Sequence, residues 1–287
     1  MIKIVTESFS SPSDDDIRLM NLNVIPAVCN IDGKSFPDES GEESALLDSI
    51  SDAQEVFSAS PTATEYYNAF TKILSDGDEI LCITASSHVC ASYNNAQVAA
   101  KAAGAVVCGN VQGKDKISVF DSLSVAGGEL LCIAYAYKKI SQGATLCEVT
   151  SSLSQFIKQL KVFFTTSKYD NSSFEKRVHR KDHFATSPIL GKRPCFTIDC
   201  GNMIYLGNIK SGYTEVNKIA EEFDCPEEII INYSADLDYI DNVHKLLSEA
   251  FPNTEIKRRV ISVSLSLNLG LATLGISCNN SKTFNNT

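Results

Sequence analysis

The sequence predicts an α/β protein made of two α/β domains with mainly parallel sheets flanked by helices. Two observations support this prediction. Apolar runs of strand length alternate with stretches of helical periodicity, which is typical of βαβ units and of sheets covered by helices on both faces. The chain has 287 residues with a hydrophobic content of 44%, enough for a sizeable core but long for a single unit. We therefore predict domains at residues 1–160 and 161–278, followed by a flexible tail at residues 279–287.

The first half of the chain contains apolar runs of strand length at Ile2–Thr6, Val24–Ile31, Glu79–Thr84 and Ile117–Asp121. A helix is predicted to follow Thr62, because Thr62 and Glu65 have capping-box spacing and the apolar residues after them recur on one helical face. The Asp76-Gly77 pair ends this helix. Further helices are predicted at Ala91–Ala103, Gly128–Ser141 and Leu146–Leu160.

The second half opens with a strand at Lys161–Thr166, and a polar segment without clear periodicity, Ser167–Asp182, follows it. Two β-rich runs, Pro194–Asp199 and Asn202–Lys210, are predicted to form a hairpin. The remaining predicted elements are, in order, helix Glu215–Glu222, strand Glu228–Tyr233, helix Tyr239–Ala250, a long β-rich run at Glu255–Leu267 and strand Ala272–Cys278.

Charge and composition exclude several classes of partner. The formal net charge of -10 disfavours nucleic acid, because binding a polyanion requires clustered Lys and Arg. No apolar run approaches the roughly 18 to 20 residues of a membrane helix, and the first residues form a strand rather than a signal peptide. Most cysteines lie in apolar runs without CxxC pairs, so we expect reduced core residues. These observations predict a cytoplasmic protein without a transmembrane segment.

A hydroxyl-rich turn follows the strand Glu79–Thr84 and leads into the next helix. Such a turn places backbone N–H groups and hydroxyls at the positive end of the helix, at the carboxyl edge of the sheet. It can therefore bind an anion, although small polar residues in a turn also act as caps and turn formers. The residues that could contribute are Ser86, Ser87, Cys90 and Ser92.

A second polar turn, Phe57–Ala63, leads into the preceding helix and offers the hydroxyls of Ser58, Ser60 and Thr62. The two turns would line one polar pocket if they were neighbours in space. The sequence leaves that point open.

The usual catalytic and nucleotide-binding signatures are missing. The chain has no GxGxxG, GxxxxGK[ST], GxSxG or HExxH sequence. His179 and His183 would share a helical face, but the cations between them oppose a metal ion, and a solvated loop also explains them. His88 follows two serines, although adjacency in sequence is not a catalytic geometry. We therefore expect no metal, no cofactor and no catalytic residues.

Six segments, in their order along the chain, resemble the sequence blocks of the DegV family. The resemblance covers nearly the whole chain, from Ile2 to Cys278, and is strongest in the first half. No block is diagnostic alone, but their order and spacing are. The segments are VTESFSS, NLNVIPAVCNIDGKSFPDE, SASPTATEYY, ITASSHVCASYNNAQVAA, SVFDSLSVAGG and LGLATLGI.

This resemblance implies a non-enzymatic carrier protein for fatty acids. Members of the family hold one long-chain fatty acid in an apolar tunnel, with its carboxylate between the two domains, so a ligand tunnel is expected at the domain junction. In bacteria such proteins present the acid to a separate ATP-dependent fatty acid kinase, which makes an acyl phosphate. The lack of a nucleotide motif in this chain agrees with the role of a carrier.

Carried over residue by residue, the resemblance assigns the carboxylate-binding hydroxyl of the family to Ser58. It places Cys90 at the ligand-binding serine and Asn268 at the family's histidine, and of two expected arginines only Arg177 has a match. A thiol is a weaker hydrogen-bond donor than a hydroxyl. We therefore predict that the apolar tunnel is retained while the head-group preference is changed or relaxed.

Three questions stay open: the role of Cys90, the retention of lipid binding, and the role of the basic cluster. Cys90 could be a small residue packed under the helix, a thiol that lines the ligand, or the nucleophile of a cysteine-dependent acyl-processing enzyme. The chain could also be a diverged member with altered or lost lipid binding. The basic cluster around Arg177 could dock a partner, reach the ligand, or lie in a solvated loop.

Overall fold

The computed structural model describes residues 1–51, 53–107, 116–166, 178–179, 192–210, 226–234, 237–270 and 272–280. The helices, in chain order, are α1 (Asp14–Met20), α2 (Glu43–Ser51), α3 (Ala63–Ser75), α4 (Ser92–Val107), α5 (Gly127–Ser141), α6 (Leu146–Phe156), α7 (Leu237–Ala250) and α8 (Val263–Leu269). The strands are β1 (Ile2–Glu7), β2 (Asn23–Ile25), β3 (Val28–Ile31), β4 (Lys34–Pro37), β5 (Val56–Ala59), β6 (Glu79–Thr84), β7 (Ile117–Asp121), β8 (Leu160–Thr166), β9 (Val178–His179), β10 (Lys192–Asp199), β11 (Asn202–Lys210), β12 (Pro226–Tyr233), β13 (Glu255–Val260) and β14 (Thr273–Asn280).

The first sheet has the strand order β2-β1-β6-β7, and all its pairs are parallel. Helices cover both faces, because neighbouring apolar residues of a strand point to opposite sides. Val5 and Ile80 pack with α3 and α4, whereas Ile4 and Leu81 pack with α5 and α6. This α/β sandwich confirms the predicted fold class and the bounds of β6 and β7.

The second sheet has seven strands in the order β13-β12-β14-β8-β10-β11-β9. Here the prediction of mainly parallel pairing needs correction. The β8, β10, β11, β12 and β14 ladders are antiparallel, and only β12 with β13 and β11 with β9 pair in parallel. For β10 and β11 the physical reason is the tight hairpin at Cys200-Gly201, which reverses the chain without a crossover helix. The hairpin itself was predicted correctly.

A small third sheet, β4-β3-β5, was not predicted. The sequence run Val24–Ile31 looks like one strand, but Pro26 interrupts it. Proline cannot donate a ladder hydrogen bond, so β2 ends at Ile25 and β3 begins in another sheet. Buried Cys29 and Ile31 of β3 pack with Leu46 of α2 and Val263 of α8.

The β-rich run Glu255–Leu267 was also interpreted wrongly beyond Val260. Its second part forms α8 instead of continuing the strand. The Ser262 side chain caps this helix by accepting the Leu265 N–H at 3.3 Å. Val263 then contacts the small sheet while Leu265 faces a second apolar cluster, so both sides of the helix are buried.

Smaller differences concern the ends of elements. The helix predicted to reach Leu160 stops at Phe156, and β8 begins at Leu160 itself. The last strand extends through Asn279 to Asn280, which the prediction placed in the tail. The boundary near residue 160 stays a prediction, since α8 packs back onto the small sheet. Arg177, helix Glu215–Glu222 and residues 281–287 lie outside the described residues.

Helix α5 lies between the two larger sheets and contacts strands of both. Its first turn approaches its neighbours very closely, because it begins with two glycines. A β-carbon at Gly127 would lie 2.4 Å from Oδ1 of Asn232, and one at Gly128 would lie 2.6 Å from Cγ2 of Val162. The Gly127 N–H donates a hydrogen bond of 2.8 Å to Asn232. This hydrogen bond joins the start of α5 to β12, a strand of the second sheet.

Candidate functional site

The two polar turns meet in space, as one shared pocket requires. The Ala91 N–H, at the start of α4, donates to Oγ of Ser60 at 3.3 Å. The Asn95 side-chain amide donates to the Pro61 carbonyl at 2.8 Å. The turn before α3 and the turn before α4 therefore form one continuous polar surface at the carboxyl end of β6.

Helix α8 brings a third element to this surface. The amide nitrogen of Asn268 donates to Oγ of Ser58 at 2.7 Å and to the Ser264 carbonyl at 2.8 Å. Because the Ser58 oxygen accepts from Asn268, the Ser58 hydroxyl proton can be directed to another acceptor. Ser58 lies on β5, paired with Cys29 of β3, so the hydroxyl sits on a strand. We call Ser58, Ser60, Cys90 and Asn268 the head-group surface, after the carboxylate-binding role that the sequence analysis predicts for them.

Asp38 holds α8 in this position. Its buried carboxylate accepts hydrogen bonds from the backbone N–H groups of Val263, at 3.2 Å, and Ser264, at 3.0 Å. It also accepts from the Ser264 and Ser8 hydroxyls. The first N–H groups of a helix have no partner within the helix, and a carboxylate there satisfies them and interacts favourably with the helix dipole. Asp38 thus positions Asn268 by holding the N-terminal end of the helix.

Cys90 is half-buried beside this surface, and its thiol donates to Oγ of Ser92 at 3.4 Å. Burial, together with the negative charge of Glu7, raises the pKa of Cys90 to about 12. The thiol is therefore protonated at neutral pH. It would not repel a carboxylate, and it is not activated as a nucleophile.

The other predicted site residues lie elsewhere or are already engaged. Thr62 caps α3, since its hydroxyl accepts the Glu65 N–H and donates to the Glu65 carboxylate. Buried Ser86 donates to the Gly201 carbonyl at 2.8 Å, which seats the β10–β11 hairpin on this turn. The backbone N–H of Ser87 donates to the Asp121 carboxylate, so its contact is with β7.

Two buried acids were missed by the sequence analysis. Glu7 ends β1 and Glu129 lies in the first turn of α5, and both are fully buried. The Glu7 carboxylate accepts from the Ala85 N–H at 2.7 Å and from the Tyr66 hydroxyl at 3.0 Å. A signal was present, because each is the acidic residue of an otherwise apolar or small-residue segment at the edge of a predicted element.

An apolar cluster adjoins the head-group surface. It joins the turn after β6, the start of α5, strands β8, β10 and β11, and α8. Cys90 packs against it, and the rings of Phe164 and Phe196 stack at its centre with 5.1 Å between centroids. The other members include Phe9, Val89, Val125, Met203, Leu265 and Leu269.

A separate cavity of about 510 Å³ lies beyond the hairpin turn, between Leu123, Lys158, Val162 and Cys200. It is lined by none of the residues of the head-group surface. The ligand tunnel at the domain junction therefore stays a prediction. Among the residues that the structure describes, no cluster of His, Cys, Asp and Glu could hold a metal ion, and no helix has the length and apolar character to cross a membrane.

Together these features define an α/β protein whose strand-end turns gather hydroxyl, thiol and amide groups next to an apolar cluster. The chain belongs to the DegV family, because the model of that family matches residues 1–280. The resemblance seen in the sequence blocks is thereby confirmed.

Relatives and solved structures cover nearly the whole chain. A DegV domain-containing protein of Staphylococcus aureus is 23% identical over 286 residues, covering 95% of this chain and 96% of the relative. A fatty-acid-binding DegV family protein from Thermus thermophilus matches with a TM-score of 0.82 and 18% identity, covering 97% of this chain and 99% of that one. The Fatty Acid Kinase (Fak) B3 protein of Streptococcus pneumoniae, loaded with linoleic acid, matches with a TM-score of 0.81 and 20% identity, covering 97% of this chain and 99% of that one. These similarities establish the DegV fold.

Proposed function

We propose that this protein binds one long-chain fatty acid, with its carboxylate on the head-group surface and its acyl chain against the adjoining apolar cluster. The contact between Asn268 and Ser58 carries this proposal. These residues are 210 positions apart, yet they meet where the family resemblance assigns the carboxylate site. Solved structures of the same fold from Thermus thermophilus and Streptococcus pneumoniae are described with fatty acids, which supports the same ligand class here.

The energetics favour binding through the acyl chain. Burying about fifteen methylenes at roughly 0.8 kcal/mol each provides on the order of 12 kcal/mol before association costs. The head-group surface offers a neutral donor, the Ser58 hydroxyl, rather than a cation among the described residues that form it. Its contribution is thus smaller than that of a charged pair. The acyl chain would provide the affinity and the head group the orientation.

We further propose that the protein acts in the cytoplasm as a carrier without catalytic activity of its own. It would present the bound acid to a separate ATP-dependent fatty acid kinase subunit. The name of the Streptococcus pneumoniae protein supports this partnership by analogy. The protonated state of Cys90 supports the absence of a cysteine nucleophile at the surface.

Native mass spectrometry tests the proposal directly. We expect the purified protein to carry one fatty acid per chain, and the protein incubated with dodecanoic acid, used as a shorter homologue of the proposed ligand, to bind one molecule of it. Replacing Ser58 with alanine removes a donor to the carboxylate and should weaken dodecanoic acid binding about tenfold, equivalent to ~1.4 kcal/mol. Ser154→Ala is the matched control, because Ser154 is exposed on α6 and bonds only its own helix. A wild-type chain that binds no fatty acid would support the alternative of lost lipid binding.

Alkylation of cysteines tests the alternative of an acyl-processing enzyme that uses Cys90. Because the pKa of Cys90 is raised to about 12, iodoacetamide at pH 7.5 should label it far more slowly than exposed Cys147 and Cys200. Peptide mapping by mass spectrometry measures the three rates in one sample. Preferential labelling of Cys90 would instead favour the enzyme.

A further inference from the structure

Glu7 and Glu129 form a pair of fully buried carboxyl groups, and Glu7 accepts the Ala85 N–H of the turn that carries Cys90. Thr6, which precedes Glu7 in β1, donates its hydroxyl to Oε1 of Glu129 at 3.0 Å. The second oxygen of Glu129 has no hydrogen-bond partner among the described residues. A buried carboxylate oxygen without a donor is costly, whereas a protonated carboxylic acid is not charged.

Among the described residues, no cation compensates this pair. Within the part of the chain that the structure describes, neither carboxyl forms an ion pair with Lys, Arg or His. The titratable groups that act on the pair come from α3, β6, the turn before α4, β7 and α5, and all are acids, thiols or a phenol: Tyr66, Cys82, Cys90, Asp121 and Cys132. Two buried carboxyls without a counter-charge cannot both ionise at neutral pH.

A short chain of hydrogen bonds links the pair to the head-group surface. The Ser92 hydroxyl, which accepts from the Cys90 thiol, also bonds the Glu7 carboxyl. The negative charges of Glu7 and Glu129 both raise the pKa of the Cys90 thiol. The affinity for an anion bound beside Cys90 would therefore depend on the protonation state of the two acids.

We propose that Glu7 and Glu129 are specificity-determining residues of the head-group surface. They hold at least one proton between them at neutral pH, and an anionic head group binds together with uptake from solvent of whatever part of the second proton the pair still lacks. An uncharged head group, such as that of a fatty alcohol, binds without proton uptake. This inference rests on the proposed function for the identity of the ligand.

The direction of the pH dependence follows from the environment of each acid. Burial raises the pKa of Glu7 to about 7 and holds the pKa of Glu129 well above its ordinary value. A bound anion raises the pKa of Glu7 further, so the free protein must take up a proton on binding once the pH exceeds about 7. Carboxylate affinity is thus constant at lower pH and falls as the pH rises through the pKa of the free protein.

Calorimetry with dodecanoic acid and dodecanol, in two buffers of different ionisation enthalpy, measures the protons taken up. At pH 7 we expect up to about half a proton per dodecanoic acid in excess of the value for Glu7→Gln, and none for dodecanol. The comparison with Glu7→Gln cancels the ionisation of the ligand itself. Between pH 6 and pH 8, the affinity of the wild type relative to this variant should fall up to about tenfold. The exposed Glu249→Gln variant of α7 should behave like wild type.

Two results would overturn the inference while leaving the proposed function intact: equal proton uptake in wild type and Glu7→Gln, or a pH dependence that both share. Failure of dodecanoic acid to bind at any pH would overturn the proposed function as well. The raised pKa of Glu7 can then still be tested in the absence of ligand. Since the folded pKa of Glu7 exceeds its unfolded value of 4.5, stability should fall as the pH rises from 4.5 to 7. Glu7→Gln should show a smaller shift in urea midpoint, since the raised pKa of Glu129 contributes to it as well, and an unchanged shift would refute the pair.

Discussion

Replacing Asp38 with alanine is expected to lower the free energy of unfolding by about 3 kcal/mol and to weaken fatty acid binding. The substitution removes a buried acceptor and leaves the N–H groups of Val263 and Ser264 without their partner. Helix α8 carries Asn268, so loss of its anchor also disturbs the hydrogen bond to Ser58. Urea unfolding and dodecanoic acid titration measure the two effects on the same preparation.

Two variants make this prediction specific. Asp38→Asn keeps one acceptor oxygen for the helix N–H groups and should lose less stability than Asp38→Ala. Asp241→Ala removes an exposed carboxylate that pairs with Arg258, and it should cost less than about 1 kcal/mol. If Asp38→Ala unfolded at the same urea concentration as wild type, α8 would have to be held by other contacts.

Introducing a methyl group at Gly128 is expected to destabilise the protein by about 2 kcal/mol. The new β-carbon would lie 2.0 Å from Oγ of Ser124 and 2.6 Å from Cγ2 of Val162, so α5 must move away from β8. The serine can rotate, but the valine is buried in the sheet. Gly275→Ala is the matched control in β14, where the nearest atom would lie at an ordinary 3.6 Å. Equal thermal stability of the two variants would show that α5 has room to move.

The parts of the fold that could be predicted are those in which local signals agree. Strands β6 and β7 follow from their apolar runs, and α3 follows from the Thr62–Glu65 capping box, which the structure contains. Helix α8 could not be found in this way, because the alternation in Val263–Leu269 has the period of a strand. Asp38, 225 residues away from Val263, decides the outcome by binding the helix N-terminus.

In the candidate site, too, some features follow from the local sequence and others depend on distant contacts. Its two polar turns were visible as hydroxyls after strand-length runs, but their proximity depends on hydrogen bonds such as Ala91 to Ser60. Family resemblance pointed to Ser58 and Asn268, which no local pattern connects. Thr62 and Ser86 matched the pattern equally well and are engaged as a cap and a hairpin anchor. Residue type alone does not separate these roles, because a hydroxyl serves all of them.

The head-group surface depends on a contact between two residues that are synthesised at very different times. Asn268 is translated 210 residues after Ser58, a delay of about 10 to 40 seconds at ordinary rates of protein synthesis. During that interval a nascent chain already has both polar turns but lacks α8, so it exposes the apolar residues that Leu265 and Leu269 later cover. Both the polar contact and its apolar cover are therefore completed by the same late helix, so a chain stalled before α8 has neither the Asn268–Ser58 hydrogen bond nor the apolar side chains that close the cluster.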